Sequence, residues 1–365
     1  MRCSEGGNLE LSPFDLEDWL LRCKGAKIVM DHSGCPSPYE DGFSIEIGPP
    51  SSLDEVEVEE RLAETLSSVC GIERERIALT SGAQNANFLF LSSYLGPKDS
   101  VIIENPTYMP IRSVAESVCR VETFERSAPN EFRPRPAEMD RLLKKGPKVV
   151  AITNLHNPSA ASLSDAELKG ILESADERGA VVLCDEIYRR MQYSTPSSPV
   201  CNLGDNGVST SGFTKLYGLG DLRIGWLIGP QEICKKVDLL RLYSIYRLPT
   251  RSAAIATEAL KRMEWFRDRM LRLASVNIKI LSEWLGEEDR VRCRLPDGGL
   301  MVLLSLPKGT DDLRLGELLM DRFSTSVCPG RYFGIANHIR ITFSCSSKDL
   351  RRGLENISAA IDMLV

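Results

Sequence analysis

Close cysteine pairs and metal-binding histidine patterns are absent from this 365-residue sequence. It contains 11 cysteines but no C-x-x-C pair, and its 3 histidines (His32, His156 and His338) follow no metal-site spacing. Dithiol redox sites and most structural metal sites need such pairs, so the sequence argues against both. An odd number of cysteines scattered over a long chain also argues against a secreted disulfide framework. We interpret most of the cysteines as buried free thiols.

Long apolar runs and long basic runs are also missing. No stretch approaches the roughly 20 apolar residues of a membrane span, and the segment Met1–Gly7 has no apolar signal core. The net charge of −6 comes from interspersed charges of both signs, which argues against nucleic acid or a membrane as the main partner. We therefore expect a soluble protein of the reducing cytoplasm.

The order of the apolar segments indicates an α/β chain. From residue 77 to residue 228, short apolar runs alternate with helical stretches, which predicts a mainly parallel sheet covered on both faces. Strands are predicted at 77–79, 100–103, 148–153, 180–184, 207–210 and 223–228. Helices are predicted at 12–22, 53–70, 252–285 and 347–364, with short strands at 299–304 and 338–343.

The length of the chain predicts two domains, because it exceeds the usual size of one hydrophobic core. We place the large domain at residues 49–285. A smaller α+β domain is expected to combine residues 1–48 with residues 286–365.

Small, polar and charged residues follow the predicted strands, where open α/β sheets bind ligands. Gly82, Ala83 and Gln84 begin a helix and leave backbone N–H groups for a phosphate, or form an ordinary capped turn. Tyr108 is either a packed loop aromatic or a flat surface for a heteroaromatic ring. Asn157 lies in an Asn-Pro turn, from which its amide can donate a hydrogen bond.

Two charged segments complete the pattern. Asp185 ends a buried strand, where a carboxylate needs a cation or hydrogen bonds, and Tyr188 follows three residues later. Lys215 lies among hydroxyl residues and glycines, and Arg223 follows eight residues later. Such a lysine is either a solvated loop cation or a nucleophile toward a carbonyl.

Taken in order, these segments resemble the class I/II aminotransferases, fold-type I enzymes that use pyridoxal 5'-phosphate (PLP). The resemblance covers roughly residues 77 to 345 and includes Pro329-Gly-Arg-Tyr-Phe-Gly334 and His338-Ile-Arg340. It implies an aspartate-aminotransferase-like fold, with a mainly parallel seven-stranded sheet between helices and a smaller α+β domain. It also implies a homodimer that moves an amino group between an amino acid and a 2-oxo acid through a Lys215 aldimine.

The resemblance implies a role for each matching residue. Lys215 would form the Schiff base and shuttle the proton, and Asp185 would pair with the pyridinium nitrogen. Tyr188 and Asn157 would hydrogen-bond the phenolic oxygen of PLP. The other implied cofactor contacts are stacking by Tyr108 and phosphate binding by Gly82, Ala83, Gln84 and Arg223. The implied substrate contacts are Arg340, which would bind the α-carboxylate, together with Gly34 and Asn157.

Three positions depart from the family pattern. Gly212 stands where a serine usually contacts the phosphate, so Ser211 or Ser209 would have to supply that contact, and Ser211 is our cofactor-binding candidate. Residues 157–161 read Asn-Pro-Ser-Ala-Ala where Asn-Pro-Thr-Gly is usual. Near residues 48–54, no tyrosine matches the one that commonly reaches the phosphate of the partner subunit.

Two other functions stay open at this point. A PLP-dependent β-lyase or decarboxylase of the same fold would share the first chemical steps. A degenerate, non-catalytic binding protein would explain Gly212 and the altered turn, although the presence of Lys215, Asp185, Arg223 and Arg340 argues against it. The amino donor and acceptor are not fixed by these motifs.

Overall fold

The computed structural model of the protein describes residues 10–48 and 53–364. Cys3, the segment Met1–Gly7 and residues 49–52 of the segment compared for a tyrosine lie outside the described residues. The helices are α1 (Asp15–Arg22), α2 (Glu55–Cys70), α3 (Ala83–Tyr94), α4 (Met109–Val118), α5 (Pro136–Leu143), α6 (Asp165–Asp176), α7 (Val200–Leu203), α8 (Gln231–Ser244), α9 (Thr250–Lys261), α10 (Met263–Glu287), α11 (Asp312–Phe323) and α12 (Ser347–Asp362). The strands are β1 (Ile28–Val29), β2 (Ile77–Thr80), β3 (Ser100–Asn105), β4 (Arg120–Glu125), β5 (Val149–Thr153), β6 (Val181–Asp185), β7 (Gly207–Gly212), β8 (Gly225–Ile228), β9 (Met301–Ser305), β10 (Thr325–Ser326), β11 (Cys328–Pro329) and β12 (His338–Thr342).

Seven strands form the large sheet in the order β2-β8-β7-β6-β5-β3-β4. The pairs from β4 to β7 are parallel, whereas β8 is antiparallel to both β2 and β7. Every residue of β5 and β6 is buried, as expected for central parallel strands covered by helices. The predicted mainly parallel, seven-stranded α/β fold is therefore confirmed.

A second, three-stranded sheet has the order β11-β12-β9 and is antiparallel. The N-terminal segment packs onto this part of the chain, because β1 pairs with β10 and Trp19 Nε1 donates to the Val327 carbonyl at 2.6 Å. These contacts support grouping the N-terminal segment with the C-terminal α+β unit. The domain limits themselves stay a prediction.

The helix predicted at 252–285 consists of two helices, α9 and α10, which are separated at Arg262. Arg262 has φ −109° and ψ 22°, outside the helical range. Its guanidinium donates to the Ser44 carbonyl at 3.1 Å and lies 5.8 Å from the Phe43 ring centroid. These contacts join segments more than 200 residues apart, so the local periodicity does not reveal the break.

In the described part of the chain, no helix is both long and apolar enough to cross a bilayer.

Candidate active site

A cavity of about 610 Å³ lies at the carboxyl ends of the central strands and is bordered by α1. The register explains its position, because Thr153 at the end of β5 pairs with Asp185 at the end of β6, which in turn pairs with Thr210 on β7. The cavity is lined by predicted site residues from six separate segments, namely Ala83, Gln84, Tyr108, Asn157, Asp185, Tyr188, Lys215, Arg223 and Arg340.

Gly82 and Gly34 lie directly behind the lining residues. A Cβ on Gly82 would come within 3.1 Å of the Arg223 guanidinium, and one on Gly34 within 2.9 Å of the Thr214 carbonyl oxygen and 3.5 Å of Lys215 Cα. Glycine at position 82 therefore leaves room for the Arg223 guanidinium, and glycine at position 34 leaves room for the backbone of Thr214 and Lys215.

Asp185 is a buried carboxylate that faces this cavity, with 5% of its surface exposed. It accepts hydrogen bonds from Asn87 Nδ2 at 2.7 Å and from the Ile187 backbone N–H at 3.1 Å. Thr210 Oγ1 donates to Asn87 Oδ1 at 2.7 Å and so orients the amide. Burial raises the pKa of Asp185, although these hydrogen bonds and the charge of Lys215 act in the opposite direction. A cation placed beside this carboxylate would therefore be strongly favoured.

Lys215 and Tyr188 meet at Ser33, which the sequence analysis did not identify. Lys215 Nζ donates to Ser33 Oγ at 3.0 Å, and Ser33 Oγ lies 2.7 Å from the Tyr188 hydroxyl oxygen. Lys215 Nζ also lies 5.6 Å from the centroid of the Tyr188 ring. The amine of Lys215 therefore lies in the cavity beside the Tyr188 ring, and Lys215 is not a solvated loop cation.

Arg340 is a buried guanidinium, 3% exposed, and no carboxylate of the described residues lies within 4.0 Å of it. It donates to Asn157 Oδ1 at 3.0 Å, to the Asp31 carbonyl at 3.0 Å and to Cys328 Sγ at 3.2 Å. Its Nε has no hydrogen-bond partner among the described residues. A buried guanidinium in this state is strongly stabilised by an incoming carboxylate.

The start of α3 and Arg223 form the anion-binding end of the cavity. Gly82 has φ 88° and caps α3 without a side-chain hydrogen bond, which leaves backbone N–H groups of the first turn available. Arg223 Nη2 donates to the Ser81 carbonyl at 3.3 Å and Nη1 to the Gly220 carbonyl at 3.4 Å. Tyr108 donates to Gln84 Oε1 at 2.9 Å, so its ring borders the same end.

The structure does not bring Ser211 or Ser209 to this cavity. Successive residues of a strand face opposite sides of a sheet, and Thr210 faces the cavity side through Asn87. Ser211 lines a separate, smaller cavity, and Ser209 Oγ accepts from the Cys201 N–H at 3.2 Å. Neither serine is therefore placed to replace the side chain that Gly212 lacks.

Gly212 lies in a contact between backbones that has no room for a side chain. A Cβ at this position would lie 2.9 Å from the Ile224 carbonyl oxygen and 3.4 Å from the Ala83 nitrogen. A Cβ on the neighbouring Gly225 would lie 2.6 Å from Gly82 Cα. β7, β8 and the loop before α3 thus pack directly against one another, which fixes the anion-binding loop without a serine.

We expect Gly212→Ala to lower the free energy of unfolding by about 1–3 kcal/mol, because it overpacks this contact. PLP affinity should fall or stay constant. Gly170→Ala is a matched control, since a Cβ at Gly170 on α6 meets nothing within 4 Å, and its free energy of unfolding should rise. Urea denaturation measures both variants, and a Gly212→Ala protein as stable as the wild type would contradict this account of the contact.

The three histidines differ in their surroundings. His156 is fully buried between Ser159 Oγ at 2.6 Å and the Pro106 carbonyl at 2.8 Å. His32 lines the cavity with an exposed edge, and partial burial, followed by the charges of Lys215 and Arg340, lowers its pKa to about 4. Among the described residues, no group of three or more His, Cys, Asp or Glu side chains is arranged to hold a metal ion.

Comparison with known proteins finds aminotransferases. Residues 48–357 match the family described as aminotransferase class I and II. An arginine–pyruvate transaminase of Pseudomonas aeruginosa is 27% identical over 299 residues, which cover 79% of this chain and 75% of the relative. An aspartate aminotransferase of Sulfurisphaera tokodaii is 25% identical over 345 residues, with 89% and 84% covered.

The solved structures show the same fold. The crystal structure of a PLP-dependent aminotransferase from Streptococcus suis superposes with a TM-score of 0.90 at 24% identity, and the match covers 98% of this chain and 99% of that one. The comparisons favour transamination over the lyase, decarboxylase and non-catalytic alternatives. The chain therefore belongs to the class I and II aminotransferases and is a PLP-dependent transaminase.

Proposed function

We propose that the residues of this cavity hold PLP and an α-amino acid in the roles that their motifs imply. The observation that carries the proposal is a pair of buried, uncompensated charges. Asp185 and Arg340 line the same cavity, and neither has an oppositely charged side chain within 4.0 Å among the described residues. A pyridinium nitrogen would compensate Asp185, and a substrate carboxylate would compensate Arg340.

When bound, PLP supplies a protonated ring that takes up the negative charge left on the substrate α-carbon. Asp185, fixed by Asn87, keeps the proton on the ring nitrogen. Lys215 would take the proton from the substrate α-carbon and return it at C4′ of the cofactor, as a positioned base and acid. Arg340 holds the carboxylate with its planar fork, so the α-carbon stays within reach of the lysine amine.

Asn157 connects the substrate and cofactor parts of the site. Its Oδ1 already accepts from Arg340 Nη1, which leaves its Nδ2 to donate to the phenolic oxygen of PLP. The free N–H groups of α3 and the guanidinium of Arg223 would hold the phosphate. Tyr108 would cover the face of the ring.

Spectroscopy of the purified protein with added PLP tests this proposal. Lysine-bound PLP absorbs visible light, and a productive amino donor should replace that band with the pyridoxamine spectrum while a 2-oxo acid is released. A protein without the band would overturn the proposal. Release of ammonia or carbon dioxide instead of an oxo acid would indicate the lyase or decarboxylase reaction.

The relatives named above suggest where a donor panel should begin. Their names specify arginine with pyruvate, and aspartate. On the substrate side of the cavity, α1 contributes Leu16, Leu20 and the exposed carboxylate of Glu17. Arginine, aspartate and leucine therefore form the first panel, with pyruvate as the acceptor, and the ranking of their rates identifies the donor class.

We also propose that the protein is a cytoplasmic homodimer with the domain limits given above. Exposed apolar residues cluster at the end of α8 and just beyond it, where Tyr243 is 86% and Tyr246 is 67% exposed, and such patches are typical of interfaces. A sedimentation mass of one chain would contradict the dimer.

The cytoplasmic location is supported by the cysteines, because free thiols fit a reducing compartment. They occur at Cys23, Cys35, Cys70, Cys184, Cys201, Cys234, Cys293, Cys328 and Cys345.

A further inference from the structure

We infer that Ser33 is a positioning residue whose hydroxyl couples the amine of Lys215 to the hydroxyl of Tyr188. The inference rests on the proposed function of this site and extends it to a residue outside the motifs. Ser33 is buried, with 3% of its surface exposed, and lines the active-site cavity. Its Oγ lies 3.0 Å from Lys215 Nζ and 2.7 Å from the Tyr188 hydroxyl oxygen.

Ser33 is the one hydrogen-bond partner of Lys215 Nζ among the residues that the structure describes. A lysine released from PLP needs a fixed position from which its amine reaches the substrate α-carbon. A flexible four-carbon side chain does not fix that position by itself. The hydrogen bond to Ser33 restrains the amine inside the cavity and so lowers the cost of reaching the reactive geometry.

The backbone around Ser33 is fixed on both sides, which makes this restraint effective. The Cys35 N–H donates to the Lys215 carbonyl at 2.8 Å, so the serine segment and the lysine segment are directly bonded. The Thr342 N–H donates to the Met30 carbonyl at 2.8 Å, and Arg340 Nη2 donates to the Asp31 carbonyl at 3.0 Å. Ser33 is therefore held at a fixed place relative to both the lysine and the carboxylate-binding arginine.

The hydroxyl of Ser33 can accept a hydrogen bond from Lys215 and donate its single proton to Tyr188, so the hydrogen bonds of these two neighbours depend on each other. When Lys215 donates to Ser33 Oγ, the serine proton is free to point at the Tyr188 oxygen. Tyr188 then directs its own proton to the cavity, where its proposed acceptor is the phenolic oxygen of PLP. Hydrogen bonds in such a chain strengthen one another, so Ser33 makes Tyr188 a better donor to that oxygen.

The test compares Ser33→Ala, which removes the hydroxyl, with Ser33→Thr, which keeps it. Ser344→Ala is the matched control, because Ser344 is a buried serine that bonds the same segment without touching Lys215 or Tyr188. All three variants are loaded with PLP, and the pH midpoint of the visible band and the steady-state constants with the best amino donor are measured.

For Ser33→Ala we expect a pH midpoint that moves downward by on the order of half a unit, since the protonated lysine nitrogen loses the oxygen that accepts its hydrogen bond. Weaker donation by Tyr188 leaves more negative charge on the ring oxygen and acts in the opposite direction, but this effect is the smaller one because it passes through a second hydrogen bond. We also expect kcat to fall about fivefold to tenfold, with little change in KM, because one restraining hydrogen bond is lost. Ser33→Thr and Ser344→Ala should stay close to the wild type.

The outcomes separate this inference from the proposed function. A wild-type protein without the visible band overturns the proposed function and the inference with it. A normal wild-type band together with an unchanged midpoint in Ser33→Ala overturns the role of Ser33 alone. If Ser33→Thr behaves like Ser33→Ala, or if Ser344→Ala produces the same shift, packing rather than the hydroxyl is responsible and the inference is wrong.

Discussion

Lys215→Ala is expected to abolish the visible band of lysine-bound PLP and to lower transamination by at least about 10⁴-fold, the upper range for a positioned acid–base group. Among the described residues, the one other lysine that lines the cavity is Lys24, which follows the end of α1. Loss of the Lys215 amine therefore removes both the covalent attachment and the proton carrier.

The Lys215→Ala variant should still bind PLP without a covalent bond, because Asp185, Arg223 and the start of α3 are unchanged. Absorption spectra of the loaded variant, followed by filtration to measure retained cofactor, separate attachment from binding. Lys235→Ala, on the exposed surface of α8, is the matched control and should keep the band. A persistent visible band in Lys215→Ala would show that another amine carries PLP.

Arg340→Ala is expected to weaken binding of the amino acid by about 2–5 kcal/mol, the usual cost of removing one member of a buried charge pair. This cost corresponds to a rise in KM of roughly 30-fold to several thousandfold. The PLP band should remain, because Arg340 is not among the proposed contacts of the cofactor.

Substrates without a carboxylate provide the control for Arg340. A simple alkylamine should react equally slowly with the wild type and with Arg340→Ala, since it has no group for the guanidinium to bind. Arg340→Lys should recover only part of the affinity, because lysine keeps the charge but lacks the planar fork. Arg331→Ala changes an arginine of the same region outside the cavity lining and should keep its KM. An unchanged KM for the amino acid in Arg340→Ala would contradict the assigned role.

The sequence predicted the central sheet because strands such as β5 and β6 are buried on both faces and are therefore almost continuously apolar. It missed β4, since this edge strand reads Arg-Val-Glu-Thr-Phe-Glu and buries only Phe124. Polar edge strands lack both the apolar run and the clean alternation on which the prediction depends.

In the site, residues that belong to local motifs could be predicted, whereas residues that depend on contacts distant in sequence could not. Asp185, Lys215 and Arg340 belong to motifs with fixed spacing, and the structure brings these motifs to one cavity. Ser33 and Asn87 meet their partners across 155 and 98 residues, and no local pattern reports such contacts. Asn87 could have been suspected, because it lies on α3 one turn beyond the anion-binding loop. For Ser33, proximity to Gly34 was the only available signal.

The contact between Gly82, Gly212 and Gly225 also restricts how this chain can evolve. A Cβ at Gly212 or Gly225 would collide with the backbone of the neighbouring segment, and one at Gly82 would meet the Arg223 guanidinium. A single substitution at any of these positions is therefore disfavoured. We therefore expect the three positions to change together among descendants of this protein. A serine at position 212 would require a prior shift of β8, so this position is not expected to gain a side chain by one substitution alone, and a change of Gly212 should follow a change in β8 rather than precede it.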